Sequence, residues 1–227
     1  MKILLISGHG AGDPGAVSQF GKEADETIYM VEEIKKTLSK YAQVDLYPTN
    51  RNAYSDVKAG KLAVNFANYN YVLEVHFNAC VNDTKGDGKT TGTEIYVTTA
   101  EKTVGVETKI IQAIAAFGLK NRGVKRTNFT VIYRAKAAGV SSALLETCFI
   151  DDKDDMTIYS SKKAQIAAAI ANAIASQFGL KASSSGSSTA ASSATTKTIK
   201  VGSVVTIKDG AVYLSLIHIS EPTRLGM

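Results

Sequence analysis

The chain has 227 residues, of which 44% are hydrophobic, which is enough for one well-buried domain with a smaller appendage. Its two cysteines, Cys80 and Cys148, are too few for a disulfide framework, and the lack of a Cys-x-x-Cys pair argues against a thiolate metal site. Although the net charge is +5, the lysines are spread along the chain without an arginine-rich block, so nucleic-acid binding is not expected.

The chain opens with a short apolar run that predicts a buried strand over Ile3 to Ser7. The run is only five residues long and ends at Gly8, so it offers neither the apolar core nor the cleavage site of a signal peptide. No segment approaches the roughly 20 apolar residues that cross a bilayer. We therefore expect synthesis in the cytoplasm without a signal peptide, and no membrane insertion.

Apolar runs and helical stretches alternate over residues 1–181, a pattern typical of an α/β domain with a mainly parallel twisted sheet flanked by helices. Apolar residues recur at helical spacing between Ile28 and Leu38 and predict a helix over 24–40. The further predicted elements are, in order, a strand over 44–47, a helix over 57–68, strands over 71–75 and 92–98, a helix over 101–117, a strand over 142–147 and a helix over 162–178.

The composition changes after this domain. Residues 182–198 are almost wholly Ser, Thr, Ala and Gly, which predicts a flexible linker. Residues 199–215 regain strand-like alternation around a Lys-Asp-Gly turn signal, but they stop before an all-β module could close, so we expect a truncated one. Residues 216–227 do not continue the pattern and are interpreted as a non-native tail, which removes His218 from consideration.

Two histidines occupy equivalent places in the predicted domain. His9 follows the first strand in a glycine-rich loop, and His76 stands at the end of the strand predicted over 71–75. Because the carboxyl ends of parallel strands form one crevice, these side chains can converge there. A single histidine is more often structural than a ligand, but the shared placement of these two indicates a metal site.

Glu23 is the candidate third ligand, since a catalytic zinc commonly has three protein ligands, His₂Glu among them, and one open position. It lies just beyond the glycine-rich loop that follows His9 and can face the same crevice. The alternative is that Glu23 only stabilises the start of a helix through the helix dipole.

Glu146 is the candidate catalytic acid/base. It follows Ala-Leu-Leu in a strand that should be buried, where an ionisable residue is costly unless it is paired or functional. Hydrolysis needs a group that takes a proton from water and returns one to the leaving nitrogen, and one carboxylate can do both. The structural alternative is a buried salt bridge, for example with Arg134.

Three separated blocks of sequence carry a family resemblance. They read Ser-Gly-His-Gly-Ala-Gly-Asp-Pro-Gly-Ala with Lys-Glu-Ala-Asp downstream, then Leu-Glu-Val-His-Phe-Asn-Ala, then Leu-Leu-Glu-Thr-Cys-Phe-Ile. In this order they resemble the zinc-dependent N-acetylmuramoyl-L-alanine amidases of the amidase-3 family, over about residues 1–180. Cys148 stands where the family often has glycine, and Asn78 matches a polar position without an assigned role.

The resemblance implies an amidase catalytic domain over 1–181 in which His9, Glu23 and His76 bind Zn²⁺ and Glu146 is the catalytic acid/base. Its substrate would be peptidoglycan, cut at the amide bond between the lactyl group of muramic acid and L-alanine. The segment 199–215 resembles the opening of a bacterial Src-homology-3-like wall-binding module, which would hold the enzyme on anionic wall polymers. Together these features suggest a phage or prophage endolysin that reaches the wall through a holin or by lysis.

Two other functions stay open on the residues alone. A zinc carboxypeptidase-like amidohydrolase would use the same ligand types, although its usual ligand spacing is not visible. A non-catalytic wall-binding protein could keep the fold without turnover, but the complete set of candidate site residues argues against it. The choice between a phage enzyme and a chromosomal autolysin also stays open.

Overall fold

A computed structural model of the chain describes residues 1–182. The module predicted over 199–215, the tail over 216–227 and all but the first residue of the linker predicted over 182–198 lie outside the described residues, so these remain predictions. No helix within the described part combines the length and apolar character that a bilayer crossing requires.

The described part alternates strands and helices along the chain. The strands are β1 (Lys2–Ser7), β2 (Val17–Ser18), β3 (Gly21–Lys22), β4 (Gln43–Leu46), β5 (Tyr71–Asn78), β6 (Thr93–Val97), β7 (Asn121–Arg126) and β8 (Ser141–Phe149). The helices are α1 (Glu23–Leu38), α2 (Ala53–Ala59), α3 (Gly105–Ala115), α4 (Thr130–Ala137) and α5 (Lys153–Gln177), with a 3₁₀ turn at Phe66–Asn68.

Six of the strands form one twisted sheet in the order β4-β1-β5-β8-β6-β7, while β2 and β3 form a separate small hairpin. The strands β4, β1, β5 and β8 are mutually parallel. Strand β6 runs antiparallel to β8 and parallel to β7. The predicted α/β fold with a mainly parallel sheet is confirmed, and β1, β5 and β8 end side by side at one edge.

Helices cover both faces of the sheet, and this explains why the central strands are apolar without alternation. Ile3 and Leu5 of β1 point into a large core with α1, α3 and α5. Leu4 and Ile6 point into a smaller core with α2 and α4. Both sides of β1 are therefore withdrawn from water, which fixes its register between β4 and β5.

The helix predicted over 57–68 is wrong. The chain instead forms the short helix α2, which begins earlier because the Asn52 side chain accepts a hydrogen bond from the Ser55 N–H. It ends at Gly60, whose left-handed φ of 66° terminates the helix. Leu62 and Val64 still pack against the smaller core, so their spacing reflected burial and not helical backbone.

Several predicted boundaries also shift. Helix α3 begins at Gly105 and not near residue 101, because the Glu101 carboxylate is engaged with Lys136 and Ser141. Helix α5 begins nine residues earlier than predicted, at Lys153, because Asp152 caps it by accepting from the Asp155 N–H. The hairpin β2–β3, strand β7 and helix α4 had no predicted counterpart. The predicted strand over 71–75 extends to Asn78, so His76 lies inside β5 rather than after it.

Candidate metal centre and active site

The loop that follows β1 holds His9 over the edge of the sheet. His9 adopts a left-handed φ of 65°, a strained conformation for a residue with a side chain, and such strain often accompanies function. Glycines make room around it. A Cβ atom at Gly8 would lie 2.4 Å from Cε1 of His76, and one at Gly15 would lie 2.7 Å from Oε2 of Glu23. Only glycine lets the backbone approach the site side chains this closely.

Glu23, the first residue of α1, joins three parts of the chain. Its Oε2 lies 3.1 Å from Nε2 of His9 and accepts the Ala16 N–H at 3.0 Å. Its Oε1 lies 3.0 Å from Nδ1 of His76 and accepts the Phe77 N–H at 3.0 Å. The carboxylate is buried. It therefore does more than stabilise a helix start, because both candidate histidines point at it.

The second nitrogen of each imidazole lies within hydrogen-bonding distance of another carboxylate. Nδ1 of His9 lies 2.9 Å from Oδ2 of Asp13, which also accepts from the Asn52 amide at 3.1 Å. Nε2 of His76 lies 3.3 Å from Oε1 of Glu74. Outer carboxylates of this kind fix the orientation of an imidazole and raise its basicity, as is usual behind metal-binding histidines.

Charges in this cluster are strongly coupled. The hydrogen bond to Glu23 raises the pKa of His9. Burial alone would lower the pKa of His76, but the carboxylates of Glu23 and Glu74 hold it well above its usual value. Burial likewise works against ionisation of Glu23, yet hydrogen bonds from His76 and His9 hold its pKa well below the ordinary range. The site thus favours an ionised carboxylate next to positive charge.

The donor set and its spacing fit a zinc ion. One ligand atom each from His9, Glu23 and His76 lies within 4.8 Å of the others. Two ligand atoms about 2.0 Å from a tetrahedral zinc would be roughly 3.3 Å apart, close to the 3.0 and 3.1 Å between the carboxylate oxygens and the imidazole nitrogens. Two imidazoles and one carboxylate are a known set for catalytic zinc.

Glu146 lies beside this cluster. It is directly opposite His76 in the parallel pairing of β5 and β8. Its Oε2 atom is buried and has no hydrogen-bond partner among residues 1–182. Burial, reinforced by the charges of Glu23, Glu94 and Glu74 and opposed by His76, raises the pKa of Glu146 to about 7. Glu146 forms no ion pair within the described chain, and Arg134 instead lines a separate cavity, so the salt-bridge alternative fails.

A second group of charged side chains, centred on Glu94, lies next to Glu146. Glu94 faces it across the antiparallel pairing of β6 and β8. Glu94 accepts from Arg122 at 2.6 Å, from the Lys125 ammonium and from the Asn78 amide at 3.0 Å. Although burial opposes ionisation, these cations hold the pKa of Glu94 at about 2. Asn78, which had no assigned role, therefore links the strand of His76 to this ionised carboxylate.

Three of the four candidate residues line an open cavity. His9, His76 and Glu146 line a space of about 390 Å³, and Glu23 lies behind the two histidines. Tyr54 and Phe129 form part of its rim and are 52% and 38% exposed. Exposed aromatic rings next to ionisable groups give the cavity an apolar surface for substrate beside its reactive atoms.

The structure thus brings together all four residues singled out in the sequence. Sequence reasoning missed Asp13, Glu74 and Glu94. A signal existed for Glu74, since it stands two residues before His76 and must share its face of a strand. Glu94 gave no comparable signal, because its position opposite Glu146 depends on the reversed direction of β6.

An α/β domain with a His–Glu–His cluster next to a carboxyl of raised pKa, at the carboxyl edge of its sheet, has the parts of a hydrolase. The N-acetylmuramoyl-L-alanine amidase family of type 3 matches residues 3–176, and the chain belongs to this family. It is accordingly a peptidoglycan amidase, a hydrolase that acts on an amide bond.

Relatives of this family agree in sequence and in fold. The chain is 28% identical to the endolysin of Bacillus phage SPP1, over 82% of this chain and 69% of that protein. It is also 28% identical to the sporulation-specific N-acetylmuramoyl-L-alanine amidase of Bacillus subtilis, over 82% of this chain and 71% of that protein. The catalytic domain of an N-acetylmuramoyl-L-alanine amidase from Bacillus (Paenibacillus) polymyxa superposes with a TM-score of 0.60 at 22% identity, covering 80% of this chain and 100% of that domain.

Proposed function

We propose that the chain is the catalytic part of a zinc-dependent phage or prophage endolysin. It hydrolyses the amide bond between the lactyl group of muramic acid and L-alanine. The observation that carries this proposal is the convergence of His9, Glu23 and His76 next to Glu146. The resemblance to the SPP1 endolysin supports the lytic role, and release to the wall through a holin or by lysis is part of the proposal.

In this proposal His9, Glu23 and His76 hold the zinc ion. When bound, zinc supplies a Lewis acid that polarises the scissile carbonyl and makes water nucleophilic near neutral pH. Asp13 and Glu74 keep the two imidazoles oriented toward Glu23, as their distances of 2.9 and 3.3 Å indicate.

In this proposal Glu146 acts first as the general base and then as the general acid. Its pKa of about 7 lets it accept a proton from the attacking water and return that proton to the L-alanine nitrogen as the C–N bond breaks. Glu146 lines the cavity, and its Oε2 has no hydrogen-bond partner among residues 1–182, so no neighbouring side chain holds the carboxylate in a competing contact. Tyr54 and Phe129 at the rim would contact the sugar or the first residues of the stem peptide.

The products formed from purified Gram-positive sacculi test the reaction. We expect new L-alanine amino termini and intact glycan strands. New reducing sugars, or cleavage only within the stem peptide as a carboxypeptidase would produce, would contradict the amidase assignment. Wall binding without any released product would indicate a non-catalytic binding protein.

Metal analysis tests the zinc site separately. We expect one zinc ion per chain, removable by a chelator and restored with activity on adding zinc. His76→Ala should lose the metal, whereas His218→Ala, the same substitution at a histidine outside the predicted domain, should keep it. Equal zinc content in both variants would reject the proposed ligands.

A further inference from the structure

A second group of carboxylates lies outside the catalytic cavity. The loop formed by residues 79–92 connects β5 to β6 and rests against the start of α5. One carboxylate oxygen each from Asp83 in this loop and from Asp152 and Asp154 at the helix start lies within 4.8 Å of the others. Within the described chain none of the three pairs with a lysine or arginine, and the nearby Lys89 pairs with Asp87 instead. Three negative charges therefore face one another without a cation.

Part of this arrangement has an ordinary structural explanation. The carboxylate of Asp83 accepts the N–H groups of Gly86 at 2.9 Å and Asp87 at 2.6 Å, which shapes the loop. Oδ2 of Asp154 accepts the Gly88 N–H at 2.9 Å and so holds the loop to α5. Carboxylates in a first helical turn are also favoured by the helix dipole. These contacts leave the close approach of three charges unexplained.

Asp152 provides the observation that points to a ligand. The residue is only 1% exposed. Its Oδ1 accepts the Asp155 N–H and caps the helix, but its Oδ2 is buried without any hydrogen-bond partner among residues 1–182. A buried carboxylate oxygen without a partner is costly, and a bound ion is one of the recognised reasons for it.

We propose that Asp83, Asp152 and Asp154 form a calcium site that ties the 79–92 loop to the start of α5. All three donors are carboxylate oxygens, which suits a hard cation and not zinc. Oxygens bound to one Ca²⁺ at 2.3–2.6 Å can be at most about 5 Å apart, and the three carboxylate oxygens lie within 4.8 Å of one another, inside that limit. Mg²⁺ demands shorter and near-octahedral contacts, which an irregular set from two segments meets less well.

The loop connects two strands that serve the catalytic site. Strand β5, which contains His76, precedes the loop, and β6, which contains Glu94, follows it. Its ends are already held to the β8–α5 connection, since Asp151 accepts the Cys80 N–H and Asp155 accepts the Gly92 N–H. A calcium ion would fasten the middle of the loop in the same way. The inference does not depend on the proposed function, because calcium binding is measured without turnover.

The test uses the full chain loaded with zinc and exchanged into calcium-free buffer by gel filtration to remove weakly bound ions. Calcium is then titrated by calorimetry, and the unfolding midpoint is followed at the same concentrations. We expect one calcium per chain with Kd of roughly 10⁻⁴ to 10⁻³ M, the range of extracellular modules. At tenfold excess over Kd the midpoint should rise by roughly 2–5 °C.

Asp152→Asn is the informative variant, because asparagine keeps the capping oxygen and removes the charge. Without calcium it should unfold at the same temperature as the wild type or higher, and its calcium affinity should fall at least about tenfold. Asp154→Asn should lose affinity likewise, which covers the case that Asp152→Asn does not fold. Asp87→Asn, in the same loop but outside the cluster, should bind calcium like the wild type.

Absence of saturable calcium binding to the wild type would overturn the proposal, as would unchanged affinity in both Asp152→Asn and Asp154→Asn. The three carboxylates would then serve only the loop and the helix start. Equal or tighter binding of Mg²⁺ would overturn the assignment to calcium.

Discussion

The two sides of the catalytic cavity shift the pKa of a glutamate in opposite directions. On one side, Glu23 accepts two backbone N–H groups and faces two imidazoles, and its pKa lies well below the ordinary range. On the other side, burial, reinforced by the nearby acidic side chains, raises the pKa of Glu146 to about 7, and its Oε2 has no partner within the described chain. In the proposed function, the same type of side chain therefore serves as an ionised metal ligand in one place and as a proton carrier in the other.

The contrast teaches that surroundings, and not residue type, assign the roles. Glu23 and Glu146 are both close to His76, yet only Glu23 bonds to it directly.

Glu146→Gln should abolish turnover while zinc remains bound. Removing a general acid/base costs about 10²- to 10⁴-fold in rate, measured as release of L-alanine amino termini from sacculi. Glu107→Gln is the matched control, since Glu107 is another buried glutamate but bonds to Tyr71 outside the cavity. Activity of Glu146→Gln within tenfold of the wild type would remove the proposed base.

Asp13→Asn should weaken zinc binding without removing a ligand. Asp13 supports Nδ1 of His9, and loss of such an outer carboxylate typically costs about 10- to 100-fold in metal affinity. Competition with a chromogenic chelator measures the change. Asp45→Asn, which alters a surface carboxylate paired with Lys2, should leave the affinity unchanged. If both variants behave alike, the contact to His9 does not support the metal.

The metal-free Glu146→Gln variant should be more stable than the metal-free wild type. Because the folded-state pKa of about 7 lies above the ordinary glutamate pKa of 4.5, ionisation of Glu146 destabilises the fold progressively as pH rises from 4.5 to 7. The variant should gain on the order of 2 kcal/mol in free energy of unfolding at pH 8 and almost nothing at pH 4. Denaturant unfolding at the two pH values checks this. An equal change at both values would contradict it.

Glu94→Gln should move the acid limb of the pH–rate profile to lower pH. Activity requires ionised Glu146, so the rate should rise with pH, with a midpoint at or below about 7 because a bound cation also favours the ionised form. Removing the Glu94 charge lowers the pKa of Glu146 further, and the rate at pH 6 relative to the plateau should rise by less than about tenfold. A shift to higher pH would contradict this prediction, because it would mean that the Glu94 carboxylate lowers the pKa of Glu146.

Much of the architecture could be predicted because periodicity reports burial directly. Strand β1, helix α1 and the placement of His9, Glu23, His76 and Glu146 follow from apolar runs and the motifs beside them. Helix α2 was misplaced because Leu62 and Val64 are partly buried without being helical. Glu94 could not be found, since its partner across the sheet is set by long-range pairing. The outer contacts of both histidines likewise exist only once the loop and strands are assembled.

Glu23 is at once the first residue of α1 and the point where the loop, the strand β5 and the two imidazoles meet. The same helix is bound through Glu26 to Tyr159 and Lys163 of α5, the longest helix of the described chain. The space between the two imidazoles is therefore connected through Glu23 to α1, and through α1 to α5. If the proposed zinc ion binds there, its removal should lower the free energy of unfolding of the domain as well as its activity, because an ion that binds only the folded state stabilises it.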